Sequence, residues 1–154
     1  MTHSLNFAAT EDTALFRGVA TALIRDMFSS KRLETPQLLL CRSEVRRNYQ
    51  ALAAALPRVQ IHYAVKSNNH PVILQEIWDA GGNFDICSGG EIDDVMKTRV
   101  DPHTLLHTHP VKSIREFDRA VASGVELFVV DNPDEVRKFT RYTDKKLKVL
   151  IRFK

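Results

Sequence analysis

Short apolar runs recur at even intervals along most of this chain, separated by helix-patterned stretches and chain breakers, and that alternation restricts the fold more than any other feature. The runs occupy 37–41, 61–66, 83–88, 104–108, 126–130 and 147–152. Apolar residues at helical spacing fall near 43–56, 71–80, 90–98, 113–123 and 133–142, and Pro57, Gly81-Gly82, Pro102, Gly124 and Pro133 punctuate the joints. Strand followed by helix, repeated, predicts a parallel sheet in an α/β architecture. From residue 61 the strands return about every 20–24 residues, with the short connections that (β/α) barrels use. Lys66, Asp85, Ser88, His107, His109, Asp131 and Arg152 lie at or just past the C-terminal ends of these strands. In a parallel barrel those ends form the active face.

A closed barrel of this kind takes about eight strands, and the runs between residue 61 and Lys154 supply fewer. The expected fold is therefore an incomplete barrel. Ahead of it, Leu15, Phe16, Val19, Leu23, Ile24, Met27 and Phe28 place a wide apolar face on a helix over 11–29, with Leu15, Val19, Leu23 and Met27 inward. The expected organisation is an amphipathic helix and linker over 1–35 and a partial barrel over 36–154.

Charge and cysteine content narrow the partners. The 22 basic and 19 acidic residues leave a net charge of +3, and they are interspersed, with no basic stripe of the kind that binds nucleic acid. No apolar run approaches the roughly 18 residues that span a bilayer, and Met1-Thr2-His3-Ser4 does not open a secretory signal, so neither membrane nor nucleic acid is expected as a partner. Cys41 and Cys87 sit in predicted strands without a disulfide framework, which points to a reducing, cytoplasmic setting.

The residues that carry chemistry begin with His62-Tyr63-Ala64-Val65-Lys66-Ser67-Asn68-Asn69-His70-Pro71. Alternation along a strand puts Ile61, Tyr63 and Val65 on one face and His62, Ala64 and Lys66 on the other, so Lys66 is expected to point into a barrel mouth. Farther on, Glu91 follows Ser88-Gly89-Gly90 at a predicted helix start, where a carboxylate favours the dipole and the turn could offer amides to an anion. His107 and His109 stand two apart, a spacing metal ligands can use, but no third ligand accompanies them and no metal is expected. Cys87 has no base beside it and reads as a small space-filler.

At these residues the chain resembles the fold type III pyridoxal-phosphate enzymes, the alanine-racemase-like (β/α)8 TIM barrels that include ornithine, diaminopimelate and arginine decarboxylases. Tyr63-Ala64-Val65-Lys66-Ser67-Asn68 is similar to their cofactor-lysine motif, and Phe84-Asp85-Ile86-Cys87-Ser88-Gly89-Gly90-Glu91 to their second signature, in a form most like the diaminopimelate branch. Val149-Leu150-Ile151-Arg152 resembles a later strand whose arginine reaches the cofactor pocket. The resemblance covers about residues 36–154 and implies the N-terminal portion of such a barrel. It implies pyridoxal 5'-phosphate as cofactor, Lys66 as its covalent anchor and the catalytic lysine, and Ala64, Asp85 and Arg152 as cofactor contacts, with Asp85 and Arg152 paired across the lumen. Ser88, Glu91 and His109 are further pocket candidates. The implied reaction is decarboxylation of a small basic or diamino acid of the ornithine, diaminopimelate, lysine or arginine type, as in polyamine biosynthesis. The complete relatives are homodimers with a second, β-rich domain, so this segment is expected to be inactive alone and to self-associate through its last strand or depend on a complementary fragment. The alternative is a non-catalytic pyridoxal-phosphate-binding or decarboxylase-regulating homologue; regulators tend to lose the lysine, and Lys66 is present. One departure stands out: where many decarboxylases read Asn-Pro-Cys-Lys after the third strand, this chain has Thr108-His109-Pro110-Val111-Lys112.

Overall fold

A computed structural model describes residues 19–30 and 40–153. The chain divides after Glu44. Before that point, α1 runs over Val19–Ser29, closed by the Ser30 amide and hydroxyl on the Asp26 carbonyl. It covers the C-terminal part of the helix expected over 11–29; Met27 in it is half-buried, while Leu15 and the side chains of Val19 and Leu23 lie outside the described residues. The same holds for 37–39 of the first predicted strand. Leu40 and Cys41 are not in a strand and lead into α2, Arg42–Ala55.

Beyond residue 44 the predicted alternation is present. A five-stranded parallel sheet runs in chain order β1-β2-β3-β4-β5, with β1 at His62–Ala64, β2 at Asn83–Ile86, β3 at Leu106–His107, β4 at Leu127–Val130 and β5 at Lys148–Ile151. The helices between them are α3 (Pro71–Asp79), α4 (Gly89–Met96), α5 (Ile114–Ala122) and α6 (Pro133–Arg137). Sequential parallel strands joined by helices are the build of a (β/α) barrel wall.

The core lies between sheet and helices. Phe84 and Ile86 of β2 and Phe128 and Val130 of β4 are buried against Ile73, Leu74 and Ile77 of α3, Ile92 and Val95 of α4, and Phe117, Ala120 and Val121 of α5. Each large side chain so buried is worth about 1.5–3 kcal/mol. Tyr63 pairs in register with Phe84, and Ala64 with Asp85. Partners in register share a face, so Tyr63 belongs to the helix side and Ala64 and Asp85 to the open side. Among the described residues nothing covers β5: all of its residues are exposed, Ile151 at 65% and neighbouring Phe153 at 88%.

Each βα junction starts its helix with a side-chain cap. His70 accepts from the Val72 amide ahead of Pro71, Ser88 from Glu91, Ser113 from Glu116 and Asn132 from Glu135. These caps satisfy amides that the first helical turn leaves unpaired. They also fix the loops at the C-terminal ends of the strands.

Candidate active site

Lys66 lies just past β1. Its strand is shorter than the sequence predicts: after Ala64 the backbone enters a tight 3₁₀ turn, Val65–Ser67, closed by the Ser67 hydroxyl on the Ala64 carbonyl at 2.7 Å. Val65 is buried beneath the turn and Lys66 is exposed above it. The lysine therefore stands at the mouth end of β1, as predicted, but on a turn rather than on the strand. Its ammonium has no hydrogen-bond or ion-pair partner among the described residues. An open cleft of about 490 Å³ adjoins it, lined by Val65, Lys66, Ser67, Asn68, Asn69 and Glu91.

Glu91 reaches this cleft from α4 and also has a structural bond, accepting from the Cys87 amide at 2.7 Å. With Ser88 accepting from the Glu91 amide at 3.3 Å, this is a capping box shifted by one residue. The Gly89 amide is likewise taken, by Glu116 of α5 at 2.7 Å. Of the Ser88-Gly89-Gly90 turn, the Gly89 amide is therefore already engaged. Gly89 is also a point of close approach: a Cβ there would lie 2.6 Å from Arg119, which bonds Asp93 at 2.5 Å.

Asp85 faces the open side next to Ala64 and accepts from the Thr108 hydroxyl at 2.5 Å, with the Cys87 sulfur 3.6 Å from the same hydroxyl. The expected Asp85–Arg152 pair is not formed. Arg152 is exposed beyond β5, three strand spacings from β2, or about 14 Å along the sheet. That is beyond reach for a direct bond, and Thr108 occupies the carboxylate instead. His109 is exposed, with its Nδ1 accepting from the Val111 amide at 3.3 Å, and does not line the Lys66 cleft.

His107 departs from the sequence reading. It faces the helix layer, 1% exposed, stacked on Phe128 with ring centroids 5.7 Å apart. Both ring nitrogens lack a hydrogen-bond partner among the described residues. Burial, reinforced by the Lys112 charge, lowers its pKa from 6.5 to about 4. His107 and His109 thus point apart, and no metal-ligating cluster forms among the described residues.

Sequence reasoning missed a set of buried ions nearby. Lys112 is 3% exposed and donates to the carbonyls of His109 (2.9 Å) and Val129 (2.8 Å), with Glu135 of α6 at 3.6 Å. Burial pulls its pKa below the usual lysine range, opposed by the Glu135 charge. Lys138 bonds both Glu135 and the Lys112 carbonyl. The available signal was the repeated spacing Ser88-x-x-Glu91, Ser113-x-x-Glu116 and Asn132-x-x-Glu135.

Residues 42–154 match the family described as pyridoxal-dependent decarboxylase, pyridoxal binding domain. The chain belongs to this family. It is 34% identical over 112 residues to the lysine/ornithine decarboxylase of Selenomonas ruminantium, covering 73% of this chain and 28% of that protein. The antizyme inhibitor 2 of Xenopus laevis is 33% identical over 98 residues, 64% of this chain and 22% of that one. The crystal structure of Vibrio vulnificus lysine/ornithine decarboxylase complexed with cadaverine superposes with a TM-score of 0.79 at 36% identity, covering 87% of this chain and 36% of the other. The chain thus spans about a quarter to a third of these relatives, and its fold is the N-terminal part of their barrel. The family's cofactor is pyridoxal phosphate.

The residues present fit the reactive end of that group. Lys66 offers an amine without a partner among the described residues at an open cleft, and Asp85, in register with Ala64, is held in a fixed orientation by Thr108.

Proposed function

We propose that this chain supplies the cofactor-lysine half of a pyridoxal-phosphate-dependent decarboxylase acting on a small basic amino acid of the lysine, ornithine or arginine type. The observation that carries the proposal is Lys66: an amine without a partner among the described residues, on a braced turn at the mouth of the barrel wall, in a cleft that Glu91 also lines. When bound, pyridoxal phosphate supplies an aldehyde that amines attack and a ring that accepts the electron pair freed as carbon dioxide leaves. Lys66 would hold the cofactor through its amine and would hold or move a proton at Nζ. Asp85, held by Thr108, would order the surroundings of the bound cofactor, and Arg152 after β5 is a further candidate contact. Glu91 sets the negative edge of the cleft. Working in the cytoplasm and as a homodimer agrees with this reading.

The test replaces the corresponding segment of the Vibrio vulnificus enzyme by residues 42–154 and measures carbon dioxide release from lysine, ornithine and arginine. Release that disappears on Lys66→Ala supports the proposal; release unchanged by Lys66→Ala refutes it. The likeness to antizyme inhibitor 2 favours a second reading, a non-catalytic regulator. That reading predicts a folded chimera that binds the cofactor and releases no carbon dioxide from any of the three.

A further inference from the structure

Successive loops at the mouth are each tied to the helix of the next unit by an acidic side chain. The loop after β3 gives its Lys112 amide to Glu135 of α6 at 3.2 Å, and the loop after β2 gives its Gly89 amide to Glu116 of α5 at 2.7 Å. The loop after β1, which carries Lys66, follows the same plan with a different donor. Its Asn69 side-chain amide donates to Asp94 Oδ2 of α4 at 2.8 Å. Asp94 is held in turn by Lys97, whose Nζ donates to Oδ1 at 2.7 Å. Hydrogen bonds from Lys97 and from Asn69 hold the Asp94 carboxyl below its ordinary range, so it is ionised when it accepts.

The other bonds of the Lys66 loop are local. Ser67 closes on the Ala64 carbonyl at 2.7 Å, the Tyr63 hydroxyl donates to the Asn68 carbonyl at 3.1 Å, and the His70 amide donates to Asn68 Oδ1 at 3.0 Å. These shape the turn but do not connect it to α4. Asn69–Asp94 does. Asp94 stands one turn beyond Glu91 on α4, and Glu91 lines the cleft together with Lys66 and Asn69. One helix therefore carries both the acid that lines the cleft of the lysine and the acid that holds its loop.

Building on the proposed role of Lys66, we infer that Asn69 and Asp94 are positioning residues that set Lys66 at the cleft against Glu91. In this role they act through the loop. A charge-assisted hydrogen bond is among the stronger ones, so losing it changes how often the loop presents its amine.

The experiment incubates the chain with pyridoxal phosphate, traps the adduct with borohydride and maps modified lysines by mass spectrometry. Labelling at Lys66 is expressed relative to Lys146, an exposed lysine outside this cleft. The parent favours Lys66, and Asn69→Ala lowers the ratio about tenfold, as expected from the lower end of the range for one hydrogen bond to a charged acceptor. Asn69→Asp lowers it further by facing two carboxylates. The exchange Asn69→Asp with Asp94→Asn rebuilds the bond with donor and acceptor swapped and restores the ratio. Thermal unfolding is followed for every variant. Should Asn69→Ala fail to fold, Asp94→Ala provides the same test from the other side of the bond. A ratio unchanged in Asn69→Ala, whatever its thermal midpoint, overturns the inference while leaving Lys66 as the cofactor lysine. A parent without preference for Lys66 overturns the reading on which the inference rests, and the inference with it.

Discussion

Replacing His107 with leucine removes an acid sensitivity that this imidazole builds into the fold. His107 is 1% exposed, lacks hydrogen-bond partners among the described residues, and has its pKa lowered to about 4, first by burial and then by Lys112. In the unfolded chain it returns to about 6.5. Between those values the unfolded state binds a proton that the folded state excludes, so folding stability falls as pH falls through this window. Bringing the pH from 7 to 5 costs about 2 kcal/mol through this one residue, and the loss reaches about 3 kcal/mol below pH 4. Leucine, of similar volume and without nitrogens to satisfy, keeps the contact with Phe128. Urea unfolding followed by circular dichroism at pH 7 and pH 5 measures the difference for parent and variant. His107→Leu should show a pH 7-to-5 loss smaller than the parent's by about 2 kcal/mol. Equal losses in the two proteins would refute the argument, because the remaining titrating groups are common to both.

Gly82→Ala should destabilise by about 2 kcal/mol in the same assay at pH 7, since a Cβ there would lie 2.6 Å from Ile77 Cγ2 and 2.9 Å from the Ile77 carbonyl oxygen. Glu135→Gln removes the carboxylate that faces buried Lys112 and bonds Lys138, and breaking such a buried pair should cost about 3–5 kcal/mol. The edge at β5 exposes Leu150, Ile151 and Phe153, so the chain should self-associate in light scattering, and Ile151→Lys should shift it toward monomer. A parent that stays monomeric at all concentrations would contradict that reading.

Most of the barrel wall was legible in the sequence because its signals are local. Apolar runs mark β2, β4 and β5, and the breakers at Gly81-Gly82, Gly124 and Pro133 fall at the element ends found. The misplacements share one physical origin, the competition of turns with strands. Asp101 caps a short turn over Pro102–Thr104, leaving only Leu106 and His107 in β3, and His107 falls on the helix side. Likewise the Ser67 bond to Ala64 curls the chain early and lifts Lys66 onto a turn. The Asp85–Arg152 pair failed for another reason: strand-end position says which rim a side chain occupies, not how far around the rim it stands. The ties from Asp94, Glu116 and Glu135 to the preceding loops join residues 23 to 27 apart in sequence, and only the assembled wall brings them together.

The central claim is that Lys66 is the amine that takes the cofactor, and its most direct measurement is the visible absorbance of a lysine-bound aldehyde as pyridoxal phosphate is titrated into the chain and into Lys66→Ala. The account predicts a saturable band in the parent and none above the background of free lysines in the variant. A band of equal amplitude and affinity in Lys66→Ala would contradict it.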